Sequence, residues 1–296
     1  MPRVLVVLVG LLLAVVGCVR EPESPSPGTS TRTVTIGGTD RTYRLYRPAG
    51  LTGPAPLVVM LHGGFGSGAQ AEAAYGWDAE ADAGRFLVAY PDGIGRAWNT
   101  GGGCCGQSAR TGVDDVAFLT RLVADAGGDV DPARVYATGI SNGGIMAYRL
   151  ACATWLFAAI GPDSATQLGD CPNPAPVSVI HIHGTADENI PYDGHPGRGV
   201  ARIDGPPIPD VVARWREIDR CPPPATSTSG QVTTSTAQCP DGRTVELVTI
   251  TGAGHQWPGA TGTRPAGRVP GIDPPSPALD ATHEIWRFFA AHPAAR

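Results

Sequence analysis

The sequence predicts an α/β fold: a mostly parallel central sheet with helices on both faces and an antiparallel hairpin at its N-terminal edge. Short β-branched apolar runs recur along the 296 residues, and helical patterns separate the later ones. Residues with chemistry to offer collect where those runs end, as expected of a sheet that binds its ligand beyond the carboxyl ends of its strands. In order, the expected strands are residues 33–36, 42–46, 57–61, 86–90, 135–138, 158–160, 177–182 and 245–251. The first two form the edge hairpin, and the others read as parallel strands. Helices are expected over the alanine-rich stretch 69–83 and over 113–126, where Val116, Leu119, Leu122 and Val123 recur at helical spacing. Further helices follow at 144–153, at the amphipathic stretch 210–218, and at 278–290. No internal repeat is present.

Composition narrows the function. Hydrophobic residues make up 42% of the chain, enough for one sizeable core, while 40 glycines and 29 prolines imply many turns. All 22 basic residues are arginine, which removes Schiff-base chemistry, Ser-Lys dyads and a Walker A phosphate loop. A net charge of −5, with only 17% charged residues, leaves no basic face for a phosphate backbone, so nucleic acid is not an expected partner.

Residues 4–16 are apolar except for Gly10, follow Arg3, and lead through Gly17 to Cys18. That pattern reads as a signal peptide over 1–17, too short for a membrane span. It resembles a bacterial lipobox, which implies a lipid on Cys18 and hence attachment to a membrane. Residues 18–32, rich in proline, serine and threonine, read as a disordered tether, and 33–296 as the catalytic domain. Six cysteines remain in an exported chain, so three disulfides are expected. Cys221 and Cys239, 18 positions apart, are expected to pair, whereas Cys104, Cys105, Cys152 and Cys171 leave three pairings open. Adjacent cysteines lack the spacing of a zinc site, and neither a metal nor a cofactor is expected.

Three strand ends carry the chemistry. After the strand at 135–138, Gly139, Ile140, Ser141, Asn142 and Gly143 match G-x-S-x-G and lead into a helix, the setting of a nucleophile elbow. The turn is crowded, so small residues are required at 139 and 143, and the hydroxyl lands at a helix N-terminus that favours developing negative charge. After 177–182 come His183, Gly184, Thr185, Ala186 and Asp187, and after 245–251 come Gly252, Ala253, Gly254 and His255. The order Ser, Asp, His is that of an α/β-hydrolase triad. His255 would take the proton from Ser141, and Asp187 would hold its tautomer and stabilise the imidazolium. Asp163 is the alternative acid. The Asn142 amide and an amide of the loop His62, Gly63, Gly64, Phe65 and Gly66 would face the oxyanion, with Gly64 chosen ahead of Phe65. His181 and His183 share a strand face and read as packed, hydrogen-bonded residues. Asp114 and Asp115 read as helix N-caps. Trp98 and Trp257 are expected to wall the substrate cleft.

From about Thr33 onward the chain resembles the secreted poly(3-hydroxybutyrate) depolymerase and feruloyl esterase-like family of α/β-hydrolases. The resemblance rests on Leu61 to Gly64, on Tyr90 to Gly93, and on Trp98 and Asn99 with Cys104 to Gly106. It continues through Val113 to Val116, Gly139 to Gly144, His183 to Asp187 with Pro191 and Tyr192, and Gly254 to Gly259. It implies a secreted serine esterase with Ser141, Asp187 and His255 as triad, acting on hydroxyalkanoate, acetyl or feruloyl esters. The separate polymer-binding domain usual in depolymerases of solid polymer is not expected here, which would favour soluble oligomers, small esters or carbohydrate esters. Rival readings are a non-catalytic surface lipoprotein using the fold as a binding scaffold, a cell-envelope acyltransferase, and a peptidase of the same fold.

Overall fold

Polar residues open the folded chain. In the computed structural model, which describes residues 27–260 and 273–294, β1 (Gly28–Ile36) pairs antiparallel with β2 (Thr39–Arg47). The expected tether through Arg32 is therefore too long, because Gly28–Arg32 belong to this strand. Its mostly exposed Ser, Thr and Arg side chains lack the apolar alternation that marks a strand in sequence. The expected signal peptide and lipidation site at Cys18 lie outside the described residues.

The chain then runs through β3 (Ala55–Leu61), α1 (Gly68–Ala74), α2 (Trp77–Gly84), β4 (Leu87–Pro91), α3 (Gly106–Thr111), α4 (Asp115–Ala126) and β5 (Val130–Ile140). It continues with α5 (Asn142–Ala153), β6 (Ala159–Asp163), β7 (Ser178–Gly184), α6 (Ile208–Ile218), β8 (Ala225–Ser229), β9 (Val232–Gln238), β10 (Thr244–Ile250) and α7 (Ala281–Ala291). The ten strands lie in the order β1-β2-β4-β3-β5-β6-β7-β10-β9-β8, parallel from β4 to β10 and antiparallel at both edges. Every residue of β3, β4, β6 and β7 is buried, as parallel strands covered on both faces must be. One face packs on α4, α5 and α6 through Phe118, Leu122, Met146 and Trp215. The other packs on α1, α2 and α7 through Ala71, Trp77, Ile285 and Phe289.

Three differences from the sequence reading have local causes. The helix expected over 69–83 breaks at Gly76, whose φ of +73° stops α1 and starts α2. The hairpin β8–β9 falls in a Ser/Thr-rich stretch whose first strand is exposed at every position, so it carries no burial signal. Asp114 caps α4 by accepting from the Ala117 amide at 2.8 Å, but Asp115 does not cap. It is buried, ion-paired to Arg41 at 2.7 Å, and it accepts from the Asn99 amide.

The cysteines pair as 104 with 105, 152 with 171, and 221 with 239. The last was expected, and closing its 18-residue loop contributes about 3 kcal/mol. The Cys152–Cys171 bridge ties the end of α5 to the loop after β6.

Candidate active site

Ser141 sits between β5 and α5 with φ 57° and ψ −124°, a backbone conformation that costs a non-glycine residue on the order of 1–3 kcal/mol. The surroundings enforce it. A Cβ at Gly139 would lie 2.5 Å from the Leu61 carbonyl oxygen, and one at Gly143 only 2.2 Å from the same atom. The elbow therefore requires both glycines, and the strain projects Ser141 beyond the sheet at the start of a 12-residue helix.

Asp187 and His255 follow β7 and β10, neighbours in the sheet. The loops interlock where the Ala186 amide donates to the Ala253 carbonyl at 2.8 Å. The His255 Nδ1–H donates to Asp187 Oδ2 at 2.7 Å, with both side chains buried. Asp187 Oδ1 accepts from the amides of Asn189 (2.8 Å) and Ile190 (2.9 Å). Burial alone would raise this carboxyl. The hydrogen bond and charge of His255, the nearby His183 and the Ile190 amide outweigh burial and hold it below the usual carboxylate value.

The elbow and the His255 loop meet at one dipeptide between them. Ser141 N–H donates to the Asp163 carbonyl at 2.9 Å, and the Ser164 hydroxyl donates to the Gln256 carbonyl at 3.2 Å. Ser141, Asp187 and His255 thus lie along the carboxyl ends of four adjacent strands. Among the described residues no hydrogen bond joins the Ser141 hydroxyl to His255 Nε2, so the structure brings His255 together with Asp187 by a direct bond and Ser141 only to the same end of the sheet. Sequence reasoning missed one further support: Asp273 Oδ2 accepts from the His255 amide at 2.7 Å, and the Asp273 amide donates back to the His255 carbonyl at 2.9 Å. Eighteen positions away in a proline-rich stretch, Asp273 carries no local signal.

The β3 loop lies against the elbow, with a Cβ at Gly63 falling 3.6 Å from Ser141 Cβ. The Phe65 amide is occupied, donating to the Arg96 carbonyl at 2.8 Å, whereas the Gly64 and Asn142 amides have no acceptor among the described residues. Neither of these two amides is taken by a protein acceptor, unlike that of Phe65. The side chain of Asn142 does separate work: its Oδ1 accepts from the Trp98 amide at 2.6 Å and its Nδ2 donates to the Trp98 carbonyl at 3.1 Å.

The two tryptophans do not line a cleft. Trp98 is 0% exposed and donates to the His62 carbonyl, and Trp257 is 2% exposed, donates to Thr282 and packs on Tyr75. Their indole N–H groups are satisfied inside the protein, so both brace the loops that carry the site. The exposed aromatic at this rim is Phe65, 53% exposed with φ 64°.

Esterases answer to this arrangement among known proteins. The chain is 34% identical over 269 residues to a protein of Nocardia uniformis subsp. tsuyamanensis named as an esterase, NocK, covering 79% of this chain and 75% of that one. The chain belongs to the feruloyl esterase-like family of α/β-hydrolases. A second member of this esterase family, feruloyl esterase B of Piromyces equi, is 31% identical over 230 residues. That match takes in 70% of this chain and 41% of the relative, so the chain spans less than half of that protein. The fold of the acetyl xylan esterase from Aspergillus awamori superposes with a TM-score of 0.62 at 16% identity, covering 88% of this chain and 99% of that one. No family model matches the chain. The chain is an ester hydrolase.

The esterase carries one more carboxyl beside the site. Asp163 is buried at the end of β6, and neither of its side-chain oxygens has a hydrogen-bond partner among the described residues. Burial, reinforced by the negative charge of Asp187, pushes its carboxyl well above the usual value, which favours the protonated form. An acid whose folded value is raised loses stability as pH climbs above its unfolded value near 3.8, the opposite sign to Asp187. Asp163→Asn is expected to keep kcat within about threefold. Its melting temperature should gain on wild type in thermal denaturation as pH rises above about 4. A gap independent of pH would mean that Asp163 is not held neutral.

Proposed function

We propose that the chain is an exported serine esterase that cleaves feruloyl or acetyl esters, carbohydrate esters among them, through an acyl-enzyme on Ser141. The observation that carries this reading is the 2.7 Å bond from His255 Nδ1–H to Asp187, on the sheet edge that also carries the left-handed Ser141. With Nδ1 protonated, neutral His255 presents a basic Nε2. It takes the Ser141 proton as Oγ attacks the ester carbonyl, and the imidazolium is stabilised by Asp187. The Gly64 and Asn142 amides receive the oxyanion, each such donor contributing about 2.7–4 kcal/mol in the transition state. Collapse passes the proton to the leaving alcohol, and water repeats the sequence to release the acid and restore Ser141. The feruloyl esterase and acetyl xylan esterase names of the relatives support the substrate class, and Phe65 offers an exposed aromatic surface at the rim.

The test is a panel of methyl ferulate, p-nitrophenyl acetate and butyrate, 3-hydroxybutyrate oligomers and a peptide anilide. It is joined to phosphonate labelling followed by peptide mass analysis. Methyl ferulate and p-nitrophenyl acetate turnover with the phosphonate on Ser141 is expected. Preference for the hydroxybutyrate oligomers would move the chain to the depolymerase side of the resemblance, and hydrolysis of the anilide alone would overturn the esterase reading.

Export and lipid attachment at Cys18 belong to the same proposal, supported by the apolar run before Cys18 and by three disulfides, which persist in oxidising compartments. Labelled fatty acid should enter the wild-type chain and not Cys18→Ala; equal labelling ends the idea.

A further inference from the structure

Behind Asp187 lies a line of buried polar rings that the mechanism above does not use. The Tyr148 hydroxyl is 2.7 Å from His181 Nδ1, His181 Nε2 is 3.0 Å from His183 Nδ1, and His183 Nε2 is 2.8 Å from the Ile190 carbonyl oxygen. The same His183 Nε2 is 3.5 Å from Asp187 Oδ2, the oxygen that receives His255. The 3.0 Å contact between the two rings needs one nitrogen without a proton, and burial lowers the basicity of both imidazoles, that of His181 further because His183 adjoins it, which favours one proton on each.

One group decides where all three protons sit. A carbonyl only accepts, so His183 must carry its proton on Nε2, and its Nδ1 is then an acceptor. His181 must therefore donate from Nε2, its own Nδ1 accepts, and the Tyr148 hydroxyl is left as the donor. The opposite sense would turn a bare nitrogen lone pair toward both the Ile190 carbonyl and the Asp187 carboxylate. The line is thus directional, running from Tyr148 to the loop that carries the acid.

We infer that Tyr148, His181 and His183 form a positioning relay that fixes the Asp187 loop relative to the helix of the nucleophile. Tyr148 lies seven residues after Ser141 on α5, which starts at the elbow, and His181 and His183 lie on β7, which ends at the Asp187 loop. Anchoring Ile190 holds the turn whose amides grip Asp187 Oδ1, and the His183 Nε2–H also faces Oδ2. The relay therefore ties the serine to the acid by a route that bypasses His255, and holds the carboxylate where Nδ1 of His255 meets it. The inference rests on the triad reading for its effect on turnover, but the proton positions do not depend on it.

The test combines nuclear magnetic resonance of the 15N-histidine-labelled protein with steady-state kinetics. In the wild type, His181 and His183 should both be neutral and protonated at Nε2. His183→Leu should lower kcat on p-nitrophenyl acetate about 30-fold with KM unchanged, and should shift or broaden the downfield His255 Nδ1–H resonance. His183→Gln, whose amide places an N–H where Nε2 was, should recover kcat to within about threefold of wild type. Tyr148→Phe, which keeps the ring, should cost about fivefold in kcat. A His183 protonated at Nδ1 would overturn the relay, as would folded Tyr148→Phe and His183→Leu enzymes with wild-type kcat and an unmoved His255 resonance. Failure of the triad reading would show differently, as full turnover in Ser141→Ala with the proton positions intact.

Discussion

Ser141→Ala is expected to lower kcat on p-nitrophenyl acetate by on the order of 10^5- to 10^6-fold, the largest effect of any single side chain here. In the proposed mechanism the hydroxyl forms the acyl bond, and the polar side chains beside it are engaged elsewhere. Asn142 is committed through both side-chain ends to Trp98, and the Ser164 hydroxyl is bound to Gln256. Alanine keeps the Cβ and the same backbone demand at φ 57°, so the elbow, α5 and the free amides remain. The residual rate should come from those amides and from substrate binding. Stopped turnover measured beside an unchanged thermal melt separates chemistry from folding, and a variant retaining a tenth of wild-type kcat would clear Ser141 of its role.

Much of this site is legible in sequence because the fold requires short-range signals at each position. Glycines at 139 and 143 mark the elbow because a side chain at either would collide with the Leu61 carbonyl, and a tight strand-to-helix turn implies such crowding by itself. Asp187 and His255, which the structure joins by a hydrogen bond, stand out in the sequence because each follows an apolar run by a few residues. What escapes is whatever depends on which side of a loop faces solvent. Trp98 and Trp257 carry the composition of a cleft wall, yet their indole N–H groups turn inward to His62 and Thr282. Phe65, a single aromatic among glycines, is the one exposed. The β8–β9 hairpin and Gly28–Arg32 escape for the converse reason, since polar strands at a sheet edge bury too little to leave an alternating pattern. The directional line from Tyr148 to His183 escapes as well. His181 and His183 are visibly on one strand face, but only the Ile190 carbonyl, reached through a loop, says which nitrogen holds each proton.

Asp187→Asn is expected to lower kcat about 10^4-fold, or about 5 kcal/mol of transition-state stabilisation, with the fold retained. The magnitude follows from the two amides at Oδ1. Asn189 and Ile190 both donate there, so the asparagine must keep its carbonyl oxygen at that position and turn its NH2 to where Oδ2 was. The NH2 then faces His255 Nδ1, which has to give up its proton and accept. The imidazole proton moves to Nε2, the atom needed as a base toward Ser141, and the neutral amide no longer stabilises an imidazolium. Shape is preserved while the polarity of the hydrogen bond is reversed, so the loss falls on kcat. The same substitution at Asp163 is the matched control. It exchanges a carboxyl that burial pushes toward its neutral form for an amide, and its kcat should stay within about threefold. If the two variants changed places, with Asp163→Asn losing 10^4 and Asp187→Asn active, the acid would be the carboxyl at the end of β6.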